Sequence, residues 1–269
     1  EGISFIAAAE LPALLINCMR GGPGLGTIQP SQADYFQATK GGGHGDYRLI
    51  TLAPSSVQEM CDFVALGWDL AFKYRTPAMI LADGTVGQMM EKVILPEPRR
   101  RRTEEELREQ CPWAVTGKKN RKRNIITSLE LNAPAMEVIN NNLQAKYKRI
   151  EENEVRCEAL NTEDCEYLIV AFGSMARICE KAMELARKQG LNVGLLRPIT
   201  LWPFPAKAIE QAARKAKGVL VVELSAGQMI EDVKLAVNCQ VDTRHYGRMG
   251  GMIPTPDEIL GVLKEMFVK

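Results

Sequence analysis

Histidine and aromatic side chains are scarce in this chain of 269 residues: two histidines, His44 and His245, and 6% aromatic content. No Ser/His/Asp order and no metal-ligand spacing stands out, which argues against a self-contained hydrolase or metalloenzyme. Seven cysteines are present (Cys18, Cys61, Cys111, Cys157, Cys165, Cys179 and Cys239), but none forms a C-x-x-C pair. That spacing argues against an iron–sulfur cluster or structural zinc carried by this chain alone. An odd, scattered set fits a reducing cytoplasm better than a disulfide framework. The net charge of +1 gives no global pull toward nucleic acid or anionic lipid. No apolar run approaches the ~20 residues that span a bilayer, and no signal-peptide pattern is present. The expectation is a cytoplasmic protein without membrane or nucleic-acid partners.

The glycine-rich stretch that starts at Arg20 is the most informative feature present. An apolar run, Ala13-Leu14-Leu15-Ile16, reads as a buried strand. It delivers one cation, Arg20, onto the turn Gly21-Gly22-Pro23-Gly24-Leu25-Gly26. In open α/β sheets, ligands bind at the carboxyl ends of strands. An arginine there offers a fixed fork of donors for a carboxylate or phosphate, and glycines let a ligand approach the backbone. The plainer alternative is a tight turn whose arginine pairs with a neighbouring acid.

Apolar strands alternate with amphipathic helices along the rest of the chain, so the fold class is α/β with a mainly parallel sheet. Residues 48–53 and 77–83 read as strands. Between them Ser56 caps a helix, with Glu59 at capping-box spacing. Val57, Met60, Cys61, Val64, Trp68, Ala71 and Phe72 form its expected buried stripe. Past Pro98 come two basic runs, Arg99 to Arg102 and Lys118 to Arg123, which read as a solvated segment and lack the aromatic interleaving of a nucleic-acid surface. A connecting helix runs from Pro134 to about Asn153. Strands at 167–172, 192–196 and 218–224 then alternate with helices. The expected division is 1–98 as a first α/β domain, 99–160 as a charged linker with its helix, and 161–269 as a second α/β domain.

Several further residues invite a chemical reading. Gly173-Ser174, at a strand-to-helix turn, suits either a phosphate cradle or a plain Ser174 N-cap; it lacks the fuller G-x-G-x-x-G pattern. Glu223 ends a strand before Ser225-Ala226-Gly227-Gln228 and reads as a functional carboxylate or the anchor of an interface loop. His44 sits in a glycine-rich loop, with proton transfer or no catalytic role as the alternatives. His245 has no readable partner. Asp83-Gly84 suits a turn or a ligand-facing carboxylate.

Taken in order, the motifs resemble the alpha subunit of 2-oxoacid:ferredoxin oxidoreductases, the branched-chain type in particular. They are Arg20 through Tyr35, Gly43-His44-Gly45-Asp46, Leu52 through Glu59, Pro112 through Gly117, Leu196 through Pro205, Glu223 through Met229, and Gly247 through Pro256. The resemblance covers nearly the whole chain. It implies a partial thiamine-diphosphate pyrimidine-type domain followed by a transketolase C-terminal-like α/β domain. It also implies that the chain is a fragment whose aminopyrimidine-activating carboxylate and substrate-contacting Thr-Pro segment lie before Glu1.

The implied reaction is oxidative decarboxylation of a 2-oxoacid, 2-ketoisovalerate in the branched-chain case, to an acyl-coenzyme A with reduction of ferredoxin in anaerobic metabolism. Thiamine diphosphate and Mg2+ would sit mainly on a beta subunit, and iron–sulfur clusters on small ferredoxin-like and gamma subunits. The assembly would be a dimer of such units. Arg20 matches the family's carboxylate-binding arginine, with Gly21 and Gly22 beside it as substrate-binding backbone. Beyond Gly22-Pro23 the loop departs from the 2-oxoglutarate members, which puts a substrate role for Thr27 in doubt. The competing readings are a non-catalytic α/β assembly subunit and a standalone nucleotide-binding protein.

Overall fold

The computed structural model describes residues 1–117 and 121–268; Lys118, Lys119 and Asn120 of the second basic run, and Lys269, lie outside the described residues. The elements run α1 (Gly2–Ala8), β1 (Ala13–Met19), α2 (Tyr35–Thr39), β2 (Ile50–Leu52), α3 (Val57–Tyr74), β3 (Pro77–Asp83), α4 (Gly84–Gln88), α5 (Glu104–Gln110) and α6 (Ala133–Asn153). They continue with β4 (Cys157–Leu160), β5 (Tyr167–Val170), α7 (Gly173–Lys188), β6 (Val193–Pro198), β7 (Thr200–Trp202), α8 (Ala206–Ala213), β8 (Gly218–Glu223), α9 (Met229–Ala236), β9 (Thr243–Gly247) and α10 (Pro256–Phe267). The α/β class is as the sequence predicts.

Two sheets result. The first has the order β1-β3-β2-β7 and the second β4-β6-β5-β8-β9. β1, β3 and β2 are parallel, and so are β6, β5, β8 and β9. Two strands cross the expected division. β4 falls in the stretch expected as linker but edges the second sheet, antiparallel to β6. β7 lies in the second half but closes the first sheet, antiparallel to β2. One large apolar core runs between the halves, holding Met19, Tyr35 and Leu81 from one side and Leu168, Phe172 and Val221 from the other. A second core lies on the outer face of the second sheet under α7 and α10. Among the described residues no helix is long and apolar enough to cross a membrane.

The expected buried stripe of α3 holds only in part: Ala71 is fully buried and Val57, Met60 and Cys61 are half-buried, but the other members are not. Phe63, Gly67, Leu70 and Ala71 are its buried residues, while Val64, Trp68 and Phe72 are exposed. The helix carries apolar side chains around most of its circumference, so periodicity does not select a face. Gly67 selects it, because a Cβ there would lie 2.6 Å from Leu14 Cδ1. Without that side chain α3 sits directly on β1. The N-cap is as predicted, with the Ser56 hydroxyl accepting from Glu59 N. The Glu59 carboxylate, however, turns to Ser55 N (2.7 Å) and to Arg197.

Arg197 is 7% exposed and joins the halves: it donates to Glu59 at 2.7 and 2.9 Å and to Glu158 at 2.8 Å. Burial pushes the Glu59 carboxyl up, but bonds from Arg197 and Ser55 outweigh it and hold the carboxyl below its ordinary value. A depressed carboxylate stabilises the fold fully above its unfolded pKa of about 4.3, and that contribution fades as pH falls through the lower folded value. Arg197→Met is therefore expected to flatten the loss of stability between neutral pH and pH ~3, read as denaturant midpoints across a pH series. A slope identical to that of the unaltered chain would remove this pair from the acid response.

Candidate functional site

β1 ends at Met19, in register with Asp83 at the end of β3. Arg20 then forms an isolated bridge with Pro30, which closes residues 21–29 into a loop. Gly21 N donates to Gln29 O and Thr27 N to Gly21 O, both at 2.8 Å. Gly24 and Gly26 take φ of +63° and +47°, a region other residues enter at a cost. At Gly26 a Cβ would overlap the Gly21 carbonyl.

The exposed Arg20 guanidinium donates to the Gly24 carbonyl at 3.3 Å, to the Gly21 carbonyl at 3.5 Å, and to the Leu25 carbonyl. No acid pairs with Arg20 among the described residues; the loop's own carbonyls orient it. Its positive charge is thus held at the carboxyl end of a parallel sheet, uncompensated by a carboxylate and open to solvent. Such a group suits an incoming anion.

A second glycine turn, from the other half of the chain, presses on this loop. A Cβ on Gly21 would stand 3.2 Å from Gly250 C and 3.3 Å from Gly251 N. Gly250 and Gly251 have φ of +64° and +94°. Leu25, Ile28, Met249 and Met252, on or beside the two turns, are exposed to solvent.

Behind the loop the two halves are fastened by buried polar groups. Asp83 is 1% exposed. Its Oδ1 accepts from Thr85 N (3.0 Å) and Val86 N (3.2 Å), capping α4. Its Oδ2 accepts from Ser174 N at 2.9 Å, at the start of α7. Two expectations for Gly173-Ser174 are thereby corrected. The α7 amides are not a free phosphate cradle, because the Asp83 carboxylate fills that place. Ser174 is not the N-cap either: Phe172 is, with no side-chain cap bond, and the buried Ser174 hydroxyl has no partner. The cap arrives from a strand 91 residues away, which no local pattern announces. Gly173 is needed here, since a Cβ would lie 2.9 Å from Asp83 Oδ2.

Glu223, fully buried, accepts from Gln228 N, Met229 N and Ile230 N and from the Ser225 hydroxyl. It caps α9 and shapes the loop that docks on the first half. In that loop Gln228 bonds to Phe36 N and Ala33 O. His245 lies 3.8 Å from Glu223, a partner the sequence does not reveal, and burial pushes its imidazole below the ordinary value although Glu223 opposes this. His44 is exposed and its charged neighbour is Glu1, at 3.7 Å. Thr27 turns its hydroxyl to Gln29 N, a bond within the loop. The Arg20 loop, Asp83 and the Gly250 turn converge on one place, whereas His44 is not joined to them by any bond among the described residues. Nor do three or more His, Cys, Asp or Glu side chains gather there to hold a metal ion.

Sequence reasoning missed Gln32, which the structure places at the centre of these fastenings. It lies inside the motif between Arg20 and Tyr35, but a single glutamine carries no periodic signal.

The two halves match the two family descriptions in turn. Residues 1–157 match the domain described as pyruvate flavodoxin/ferredoxin oxidoreductase, thiamine diP-binding. Residues 165–259 match pyruvate:ferredoxin oxidoreductase core domain II. The chain therefore belongs to the 2-oxoacid:ferredoxin oxidoreductase family, as a subunit of that kind of enzyme.

Within that family it is 48% identical to the ketoisovalerate oxidoreductase subunit VorB of Methanothermobacter marburgensis, over 99% of this chain and 74% of the relative. Identity to the 2-oxoglutarate synthase subunit KorA of the same organism is 30%, over 99% of this chain and 76% of the relative. Among solved structures, 2-oxoglutarate:ferredoxin oxidoreductase from Magnetococcus marinus matches 98% of this chain with a TM-score of 0.79 at 24% identity, a likeness of fold. The chain spans 50% of the length of that solved chain.

Proposed function

We propose that this chain is the 2-oxoacid-binding alpha subunit of a thiamine-diphosphate-dependent oxidoreductase that converts 2-ketoisovalerate and coenzyme A to a branched acyl-coenzyme A and carbon dioxide. The electron pair of the broken carbon–carbon bond passes to ferredoxin. The observation that carries this reading is the Arg20 guanidinium, held by three loop carbonyls at the carboxyl end of β1 and free of any acid among the described residues. In this reading Arg20 pairs with the substrate carboxylate, the backbone at Gly21 and Gly22 lies alongside it, and the exposed apolar side chains of the two turns suit a branched aliphatic substituent. The higher identity to a ketoisovalerate oxidoreductase subunit than to a 2-oxoglutarate synthase subunit supports the same choice.

When bound, thiamine diphosphate would supply a nucleophile for the keto carbon. The amides at the start of α7 are not open to its diphosphate, because they already hold Asp83. Following the family resemblance, the reading assigns diphosphate and Mg2+ mainly to a beta subunit, and iron–sulfur clusters to small ferredoxin-like and gamma subunits. The working unit is then a dimer of such assemblies in the cytoplasm. The division into 1–98, 99–160 and 161–269 belongs to the same reading, with β4 and β7 crossing it.

Purified alone, the chain is expected to reduce neither ferredoxin nor viologen with any 2-oxoacid. Co-expressed with its partner subunits and supplied with coenzyme A, it is expected to do so, using 2-ketoisovalerate in preference to 2-oxoglutarate. Turnover by the isolated chain would overturn the division of labour. Preference for 2-oxoglutarate would overturn the substrate.

A further inference from the structure

The Arg20 loop is fastened from behind by one residue that makes every contact from complete burial. Gln32 is 0% exposed. Its backbone N–H donates to Leu224 O at 2.8 Å, and its side-chain Oε1 accepts from Leu224 N at 3.0 Å. Its Nε2 donates to Phe172 O at 2.8 Å and lies 3.5 Å from Asp83 Oδ2. One residue of the first half thus satisfies both backbone groups of Leu224, just past β8, and the carbonyl of Phe172, just past β5. Ser31 adds a bond from its hydroxyl to Leu224 O at 3.2 Å.

Gln32 stands two residues beyond Pro30, the bridge partner of Arg20. At the start of the loop, Asp83 lies in register with Met19; at its end, a Cβ on Gly84 would stand 3.1 Å from Pro30 Cα. Residues 20–30 are therefore pinned where they leave β1 and where they meet the second half. Between those pins Arg20 is held only by carbonyls of a glycine-rich turn. The direction of the guanidinium thus depends on the pins.

We infer that Gln32 is a positioning residue for the reaction: by locking residues 30–32 onto Leu224 and Phe172 it fixes where Arg20 presents its donors to the substrate carboxylate. The inference rests on the reading of Arg20 given above. A buried amide with three satisfied partners is also part of the fold, so the test must separate aim from stability. Gln32→Met keeps length and volume but strands Leu224 N and Phe172 O without partners. Gln32→Asn keeps the amide but draws it back by one methylene.

Steady-state kinetics on the full complex with 2-ketoisovalerate, for each Gln32 variant with Arg20 and with Arg20→Ala, form a double-mutant cycle. Beside Arg20, either variant should raise KM for the 2-oxoacid roughly tenfold, a size typical of residues in one network. With Arg20→Ala already present, it should change KM hardly at all. Loss of stability or assembly would scale kcat in both backgrounds and leave that difference untouched. If Arg20→Ala lowers kcat/KM but the Gln32 effects simply multiply with it, the positioning role is overturned and the Arg20 reading stands. If Arg20→Ala is itself without effect, the Arg20 reading fails and this inference with it.

Discussion

In the assembled enzyme, Arg20→Ala should lower kcat/KM for the 2-oxoacid by roughly a hundredfold or more while leaving thiamine diphosphate bound. In this reading substrate and partner subunits cover Arg20 in the assembled enzyme; removing one partner of a charged pair desolvated in that way costs ~3–5 kcal/mol, and this pair both binds the substrate and points its keto carbon at the cofactor. Arg20→Lys should recover only part of the loss, because an ammonium keeps the charge but loses the planar fork. The melting temperature should hardly change. Arg20 is exposed, and its bonds go to three carbonyls of its own loop that water can also satisfy. A turn arginine would give the reverse pattern, with lower stability and near-normal kinetics. Kinetics and melting on the same preparations distinguish the two.

Asp83→Ala should have the largest effect on stability. The substitution strips the cap from α4, worth ~1 kcal/mol, and leaves Ser174 N buried without its charged acceptor, worth ~1.5–3 kcal/mol. A sum of about 3 kcal/mol should lower the melting temperature by roughly 5–10 °C in a chain of this size. Asp83→Asn should fall between the two. Its single carbonyl oxygen can serve α4 or α7, and its amide hydrogens then face a donor. Thermal melts read by circular dichroism check this. A midpoint for Asp83→Ala within about a degree of the parent would show that the halves do not depend on this carboxylate.

The α/β alternation was legible because the central strands are buried on both faces, so β3, β5 and β8 read as unbroken apolar runs. β4 and β9 are partly exposed and carry no such run, and β7 is only three residues long. These strands escape a search for apolar runs. Arg20 was legible because a strand, a cation and a turn with five glycine and proline positions follow one another in the chain. The groups that hold its loop were not. Gln32 bonds to residues 140 and 192 positions away, and Asp83 caps a helix 91 positions away. Such pairs are brought together by the packing of two sheets and leave no trace in local spacing. Glu223 lies between these cases: a carboxylate at a strand end was visible, but its use as the cap of α9 depends on a turn whose shape the sequence shows only as Ser225-Ala226-Gly227-Gln228.

The central claim is that Arg20 recognises the carboxylate of the substrate. Equilibrium binding of 2-ketoisovalerate and of its methyl ester to the full complex, without coenzyme A, tests it most directly. The ester keeps the keto group and the branched side chain but has no negative charge. The complex with Arg20 should prefer the acid strongly, and Arg20→Ala should erase most of that preference while binding the ester as before. A preference for the acid that survives Arg20→Ala unchanged would contradict the claim.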